Sequence, residues 1–178
     1  MNVSNWGPSG WIFLHTITFN YPIKPTKEDK LRYINFFNNI GTMLPCKYCR
    51  DSYNIYAKNL PIEKFVEDRE GITYWLYQIH NLVNDKVFKN DSTGFTEVVK
   101  KYERFRAGCK IKKKNGNNNK KYGTCGIPKK TELNDNNIND FVNKAEKIYR
   151  PIVKKYIKML MNSDENPNKE PHKNRVNK

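Results

Sequence analysis

Apolar residues recur at steps of three and four through much of this chain, and prolines or glycines separate the successive runs. The run that follows Gly71, for example, places Ile72, Trp75 and Ile79 on one side of a helix. No stretch shows the sustained alternation of apolar and polar residues that a half-buried strand requires. The spacing therefore predicts an all-α fold, a compact antiparallel bundle of four to five helices.

Prolines and capping residues suggest where these helices begin and end. Pro8 is expected in the first turn of the first helix, where its missing N–H costs nothing. Thr26, followed three residues later by Asp29, is typical of a helix start. The last helix of the bundle is expected to turn Phe105 inward. The predicted helices cover residues 5–19, 26–43, 45–60, 72–87 and 96–106.

Beyond the bundle, the chain is poorer in apolar residues. We predict four regions: the bundle at residues 1–108, a basic loop at 109–136, an amphipathic helix at 137–161 and a disordered polar tail at 162–178. Pro151 is expected to kink or divide that amphipathic helix. Its apolar positions are Phe141, Val142, Ile148, Ile152, Tyr156 and Leu160. The sequence leaves open whether this stripe packs on the bundle, pairs in a dimer or binds a substrate protein.

The formal net charge of +15 favours acidic partners, but it is unevenly distributed. Residues 110–130 hold eight lysines and no acidic residue, which is typical of a solvated, flexible loop. A nucleic-acid-binding module is the competing interpretation. Tyr122 alone interleaves with these lysines, so stacking on bases would be poor and nucleic acid is not expected as a partner.

No segment is long and apolar enough to span a bilayer. Residues 11–19 contain His15 and lack the basic start and cleavage site of a signal peptide. We therefore expect an intracellular protein, in which cysteines serve metal or redox chemistry more often than structural disulfides.

Two of the four cysteines form a Cys-x-x-Cys pair, Cys46 and Cys49. At a helix start, the helix dipole and the neighbouring Lys47 and Arg50 would stabilise a thiolate. A thioredoxin-like site would need a βαβ frame that the chain lacks. A zinc site shared with the other two cysteines would have an unusual ligand spacing, and it is kept as a second interpretation. The third interpretation is a dithiol on a helical scaffold that passes electrons to a cofactor.

Two histidines lie on amphipathic helices, where a lone histidine is more often a core residue than a ligand. His80, however, has Val83 and Asn84 within one turn and Lys86 and Lys89 beyond. Polar donors beside apolar packing suit a ligand with a flat ring and phosphates. The chain has no glycine-rich phosphate loop, so a Rossmann-type binding mode is excluded.

Four motifs occur in order: Trp6-Gly7-Pro8-Ser9-Gly10-Trp11 through His15, Tyr21-Pro22, Leu44-Pro45-Cys46-Lys47-Tyr48-Cys49, and Trp75 through His80-Asn81 to Lys86. Over residues 5–106 the chain thereby resembles the Erv/ALR family of FAD-linked sulfhydryl oxidases. The resemblance implies a helical fold that holds FAD at the mouth of the bundle, commonly as a homodimer. It implies no metal.

The same resemblance assigns roles to residues. It implies that Cys46 exchanges with thiol-containing protein substrates and that Cys49 lies against the flavin. Electrons would then pass to oxygen, which is released as hydrogen peroxide. The cofactor-binding positions that it implies are Gly7, Trp11, His15, Tyr21, His80, Asn81, Val83, Asn84, Lys86 and Lys89.

The sequence also departs from the family pattern. Pro8 stands where the family often has arginine, and the segment after Lys89 lacks a structural cysteine. Cys109 and Cys125 are expected to form either a structural bridge, which a short loop favours, or a shuttle pair. The short segment before the first motif resembles the forms of large cytoplasmic DNA viruses, without the shuttle arm of cellular forms. That likeness implies disulfide formation in viral proteins, in the host cytoplasm and the virion.

Overall fold

The computed structural model of the chain describes residues 1–89, 93–105, 107–108, 127–128 and 135–169. Six helices are present in these residues: α1 (Val3–Phe19), α2 (Lys27–Met43), α3 (Lys47–Asn59), α4 (Arg69–Lys86), α5 (Phe95–Glu103) and α6 (Asp135–Asn162). A 3₁₀ turn at Ile62–Lys64 joins α3 to α4. The predicted all-α fold is confirmed.

The described residues also contain a two-residue antiparallel ladder. Strand β1 (Ala107–Gly108) pairs with β2 (Ile127–Pro128), with Ala107 opposite Pro128. Periodicity cannot reveal strands this short. Cys109, Cys125 and most of the predicted basic loop lie outside the described residues.

Side-chain caps set the helix starts, and two of them correct the predicted boundaries. Asn2 Oδ1 accepts a hydrogen bond from Ser4 N at 3.0 Å, so α1 begins early and Pro8 lies inside it rather than in its first turn. Asp68 caps α4 in the same way through Gly71 N at 2.8 Å, so α4 begins before Gly71. The capping box predicted at Thr26 is confirmed.

The core lies between α4 and the helices packed around it. Trp75 of α4 is fully buried, and its indole N–H donates to the carbonyl of Leu60 at 2.8 Å. Each large apolar side chain buried in this way stabilises the fold by about 1.5–3 kcal/mol. Phe105 is 49% exposed, contrary to prediction, because α5 ends at Glu103 and the chain leaves the helical register there.

Helix α6 packs on the bundle, which decides between the alternatives that the sequence left open. Tyr149 is buried, and its hydroxyl donates to Asp68 Oδ1 at 2.9 Å. The predicted stripe is partly wrong, because Ile148 is 45% exposed. The buried residues of α6 are Ile138, Val142, Ala145, Tyr149, Val153 and Leu160. The helix is not divided at Pro151, which lies on its exposed side.

The chain after α6 is also packed, so the predicted disordered tail is wrong for residues 163–169. The Tyr56 hydroxyl donates to the side-chain oxygen of Asn168, and the Asn168 amide donates to Leu82 O at 3.4 Å. Glu165 pairs with Lys58 at 3.0 Å. This segment, which we call the C-terminal arm (residues 163–169), therefore joins α3 to α4. Residues 170–178 lie outside the described residues.

No helix in the described part of the chain is long and apolar enough to cross a membrane.

Candidate functional site

The cysteine pair lies at the start of α3, as predicted. Cys46 is the N-cap residue, and its sulfur accepts a hydrogen bond from Cys49 N at 3.3 Å. Both side chains are half-buried free thiols. The first turn of α3 thus places the two sulfurs of the pair on adjacent positions of one helix start.

The cations next to the pair in sequence do not serve it as predicted. Lys47 forms an ion pair with Asp51 at 2.8 Å, and the Arg50 guanidinium donates to the carbonyl of Leu44 at 2.6 Å. A cation from another helix acts on the thiol instead. Burial and the neighbouring Cys46 raise the pKa of Cys49 to about 12, and the Lys86 ammonium on α4 works against that rise.

A cavity of about 460 Å³ opens beside the pair, between α1, α2, α3 and α4. Gly7, Trp11, Val83 and Lys86 line it together with both cysteines, so the structure assembles these predicted site residues in one place. The other described lining residues are Val3, Trp6, Gly10, Phe13, Leu14, Ile40, Met43, Leu44, Pro45, Tyr48, Ser52, Tyr53 and Val87. Such mainly apolar and aromatic walls suit a flat ring.

A stack of rings supports the α1 wall of this cavity. Trp11 lies parallel to His80, with ring centroids 3.9 Å apart. His15 Nε2 lies 3.1 Å from His80 Nδ1, and the His15 ring stacks on Tyr102. Burial, followed by the charges of His80 and Lys101, lowers the pKa of His15 to about 3. His15 is therefore a neutral ring that holds His80, and His80 in turn holds Trp11.

Two buried polar atoms of the described residues have no hydrogen-bond partner: Trp6 Nε1 and His15 Nδ1. Buried polar groups rarely stay unpaired. Trp6 also lines the cavity, but its unpaired N–H is itself buried and not exposed to the cavity space. Trp6 was not predicted as a site residue. Its position one helical turn before Gly10, on the same helix as Trp11, could have indicated that it lines the same cavity.

The remaining predicted cofactor residues do not line the cavity. Tyr21 is fully buried in the core, and its hydroxyl donates to Val66 O at 2.8 Å. Asn84 is buried, Asn81 is half-buried and Lys89 is exposed. Their predicted roles in cofactor binding stay predictions.

A metal centre finds no support in the described part of the chain, which contains no group of three or more potential histidine, cysteine or carboxylate ligands.

Fold and site together define a helical dithiol protein with a mainly apolar cavity against its cysteine pair. The profile of the Erv1 / Alr family matches residues 8–104, more than half of the sequence, and the chain belongs to this family.

Curated relatives agree with this assignment. A probable FAD-linked sulfhydryl oxidase of Acanthamoeba polyphaga mimivirus is 42% identical over 85 residues, which is 47% of this chain and 59% of that protein. The mitochondrial FAD-linked sulfhydryl oxidase ERV1 of Saccharomyces cerevisiae is 34% identical, over 49% of this chain and 46% of that protein. An African swine fever virus FAD-linked sulfhydryl oxidase is 29% identical, over 48% and 70%. The chain spans about half the length of the first two relatives.

Solved structures give the same fold. The yeast Erv1 core matches with a TM-score of 0.53 and 28% identity, over 57% of this chain and 84% of that one. The FAD-binding domain of Erv1 from Saccharomyces cerevisiae matches with a TM-score of 0.54 and 29% identity, over 57% and 94%.

Proposed function

We propose that this chain is an FAD-dependent sulfhydryl oxidase that forms disulfide bonds in protein substrates. The observation that carries the proposal is the position of Cys46 and Cys49 on the wall of an apolar cavity backed by stacked rings. The relatives named FAD-linked sulfhydryl oxidases support the same activity.

The residues of the cavity fit FAD. The Trp11 ring and the Val83 side chain offer apolar surfaces against which a flat ring can pack. At Gly7 an added Cβ would lie 3.1 Å from Val3, so glycine keeps this wall open. Exposed Lys89 supplies positive charge for phosphates, whereas Lys86 places its charge on the cavity wall beside Cys49. Bound FAD would take up two electrons from the reduced Cys46/Cys49 pair as their disulfide re-forms, and would pass them to oxygen to give hydrogen peroxide.

The chain's own part in the reaction is thiol–disulfide exchange. A substrate thiolate attacks the sulfur of Cys46, the Cys46–Cys49 bond breaks, and Cys49 departs with the electron pair as a thiolate. A second substrate thiolate then attacks the mixed disulfide, which releases the substrate disulfide and Cys46. Lys86, which lines the cavity and opposes the rise in the pKa of Cys49, supports the assignment of Cys49 as the sulfur that departs as a thiolate.

The test is the visible absorption of the purified, dialysed protein before and after anaerobic addition of dithiothreitol. We expect a flavin band that bleaches on reduction and returns with air. Cys49→Ser is expected to keep the band but to lose oxygen consumption with dithiothreitol. A folded protein that stays colourless when supplied with FAD, or a Cys46→Ser/Cys49→Ser variant with full oxygen consumption, would contradict the proposal.

We further propose a homodimer that acts inside the cell, on viral protein thiols. Exposed apolar side chains on α1 and α2 that lie outside the cavity, such as Ile12 at 42% and Leu31 at 57%, are suited to a subunit contact. The mimivirus and African swine fever virus relatives support the viral setting. Light scattering of the purified protein tests the dimer, and a monomeric mass at micromolar concentration would contradict it.

A further inference from the structure

A buried serine lies one turn after the cysteine pair and connects α3 to α4. Ser52 is 4% exposed, and its hydroxyl donates to Tyr48 O at 2.8 Å. A hydroxyl has one proton, so only its lone pairs remain for other partners. They accept a hydrogen bond from the Lys86 ammonium. Both hydrogen bonds of Ser52 are thus specified, and its burial limits competition from water.

The hydrogen bond from Lys86 holds its ammonium at the wall that contains Cys49. Among the described residues that line the cavity, Lys86 is the one cation. The other titratable groups there are Cys46, Tyr48 and Tyr53. Burial raises the pKa of Tyr53, which keeps it neutral. The charge of Lys86 also contributes to lowering the pKa of Asp51, but Asp51 is paired with Lys47 on the exposed side of α3.

We propose that Ser52 is a positioning residue, which holds the Lys86 ammonium as the counter-ion of the Cys49 thiolate. The thiolate forms when a substrate sulfur bonds to Cys46 and the Cys46–Cys49 bond breaks, leaving its electron pair on Cys49. This inference rests on the proposed oxidase function. A neutral hydroxyl suits the role because it fixes the ammonium without neutralising it, whereas a carboxylate would cancel the charge.

The influence of Lys86 on the pKa of Cys49 gains weight relative to that of Cys46 in this step. In the reduced pair, Cys46 raises the pKa of Cys49 through a hydrogen bond and its charge, in addition to burial. Once Cys46 is bonded to substrate, its charge and its proton are gone. Burial then still raises the pKa of Cys49, and Lys86, followed by a backbone hydrogen bond, still lowers it.

The experiment measures the ionisation of Cys49 in cofactor-free protein. In a Cys46→Ser background, which keeps an N-cap, the rate of iodoacetamide alkylation is followed against pH, and the Cys49 peptide is quantified by mass spectrometry. We expect Lys86→Met to move the midpoint up by about one pH unit, and Ser52→Ala to move it in the same direction by less. Lys58→Met, which removes an exposed lysine at the other end of α3, is the charge control and is expected to leave the midpoint unchanged.

A double-mutant cycle separates positioning from a structural effect. If Ser52 acts through Lys86, then Ser52→Ala adds no shift in the Lys86→Met background. Ser52→Asp keeps an acceptor for the ammonium but cancels its charge, so it is expected to raise the midpoint as well. An undiminished Ser52→Ala shift without Lys86, or an unchanged midpoint in Lys86→Met, would overturn the inference. Far-UV circular dichroism establishes that each variant is folded. Since the assay needs no flavin, its outcome is independent of the absorption test of the oxidase function.

Discussion

Gly71 lies in the first turn of α4, where α6 crosses it with little space between the two helices. A Cβ built at this position would lie 2.4 Å from the carbonyl oxygen of Phe65 and 2.6 Å from Cζ of Tyr149. Neither neighbour can move freely. The first is backbone, and the second is a buried ring whose hydroxyl is hydrogen-bonded to Asp68.

The magnitude for Gly71→Ala follows from two opposing effects. Replacing glycine by alanine inside a helix favours folding by about 1 kcal/mol. Forcing an additional methyl group into a packed contact costs about 1–3 kcal/mol, and a contact with backbone belongs at the upper end. Shifting Tyr149 would also weaken its hydrogen bond to Asp68. We therefore expect a net destabilisation of about 2 kcal/mol.

Urea denaturation of cofactor-free protein, followed by far-UV circular dichroism, measures this difference. The matched control is Gly10→Ala in α1, where the added Cβ would meet the Trp6 ring at 3.5 Å, an ordinary van der Waals distance. That control is expected to gain about 0.4–1 kcal/mol. The same substitution should thus have opposite signs at the two positions. A Gly71→Ala protein as stable as the parent would refute the close packing of α6 on α4.

Three further predictions concern other parts of the fold. Trp75→Phe leaves the buried carbonyl of Leu60 without its donor, so we expect a loss of about 1–3 kcal/mol in urea denaturation, and an unchanged midpoint would contradict the core geometry. The pKa of His15 in the folded protein is lowered from 6.5 to about 3, so the unfolded chain binds more protons in that range. The free energy of unfolding should therefore fall as pH drops from about 6.5 toward 3. When urea midpoints are compared across pH, His15→Gln should flatten that slope. Asn168→Ala removes the acceptor of the Tyr56 hydroxyl, and we expect about 1 kcal/mol of destabilisation in the same assay, where no change would place the C-terminal arm outside the folded unit.

The helices of the bundle could be predicted because each carries one apolar face and ends at a proline, a glycine or a cap. The first residues of these helices were harder to predict. Asn2 and Asp68 each extend a helix beyond its predicted beginning. Such caps lie outside the periodic apolar pattern, and their side chains act through single hydrogen bonds that periodicity does not record.

The site was predictable in its chemistry but not in its electrostatics. The Cys-x-x-Cys spacing indicated a dithiol at a helix start, which the cap geometry of Cys46 confirms. The neighbouring cations were assigned to it from adjacency along the chain. Lys47 and Arg50 instead have their own partners, and the charge that acts on Cys49 comes from Lys86, on another helix. Only the packing of α4 against α3 brings that charge to the thiol.

The C-terminal arm shows why a polar segment can still belong to a folded core. Its sequence has no apolar periodicity, and composition alone predicts disorder. Yet Asn166 is buried, and the Asn168 side chain accepts from Tyr56 of α3 and donates to Leu82 of α4. The match to the Erv1 / Alr family ends at residue 104, before α6 and the arm begin. Because α3 carries the cysteines and α4 carries Lys86, residues outside the family match connect two of the helices that form the site.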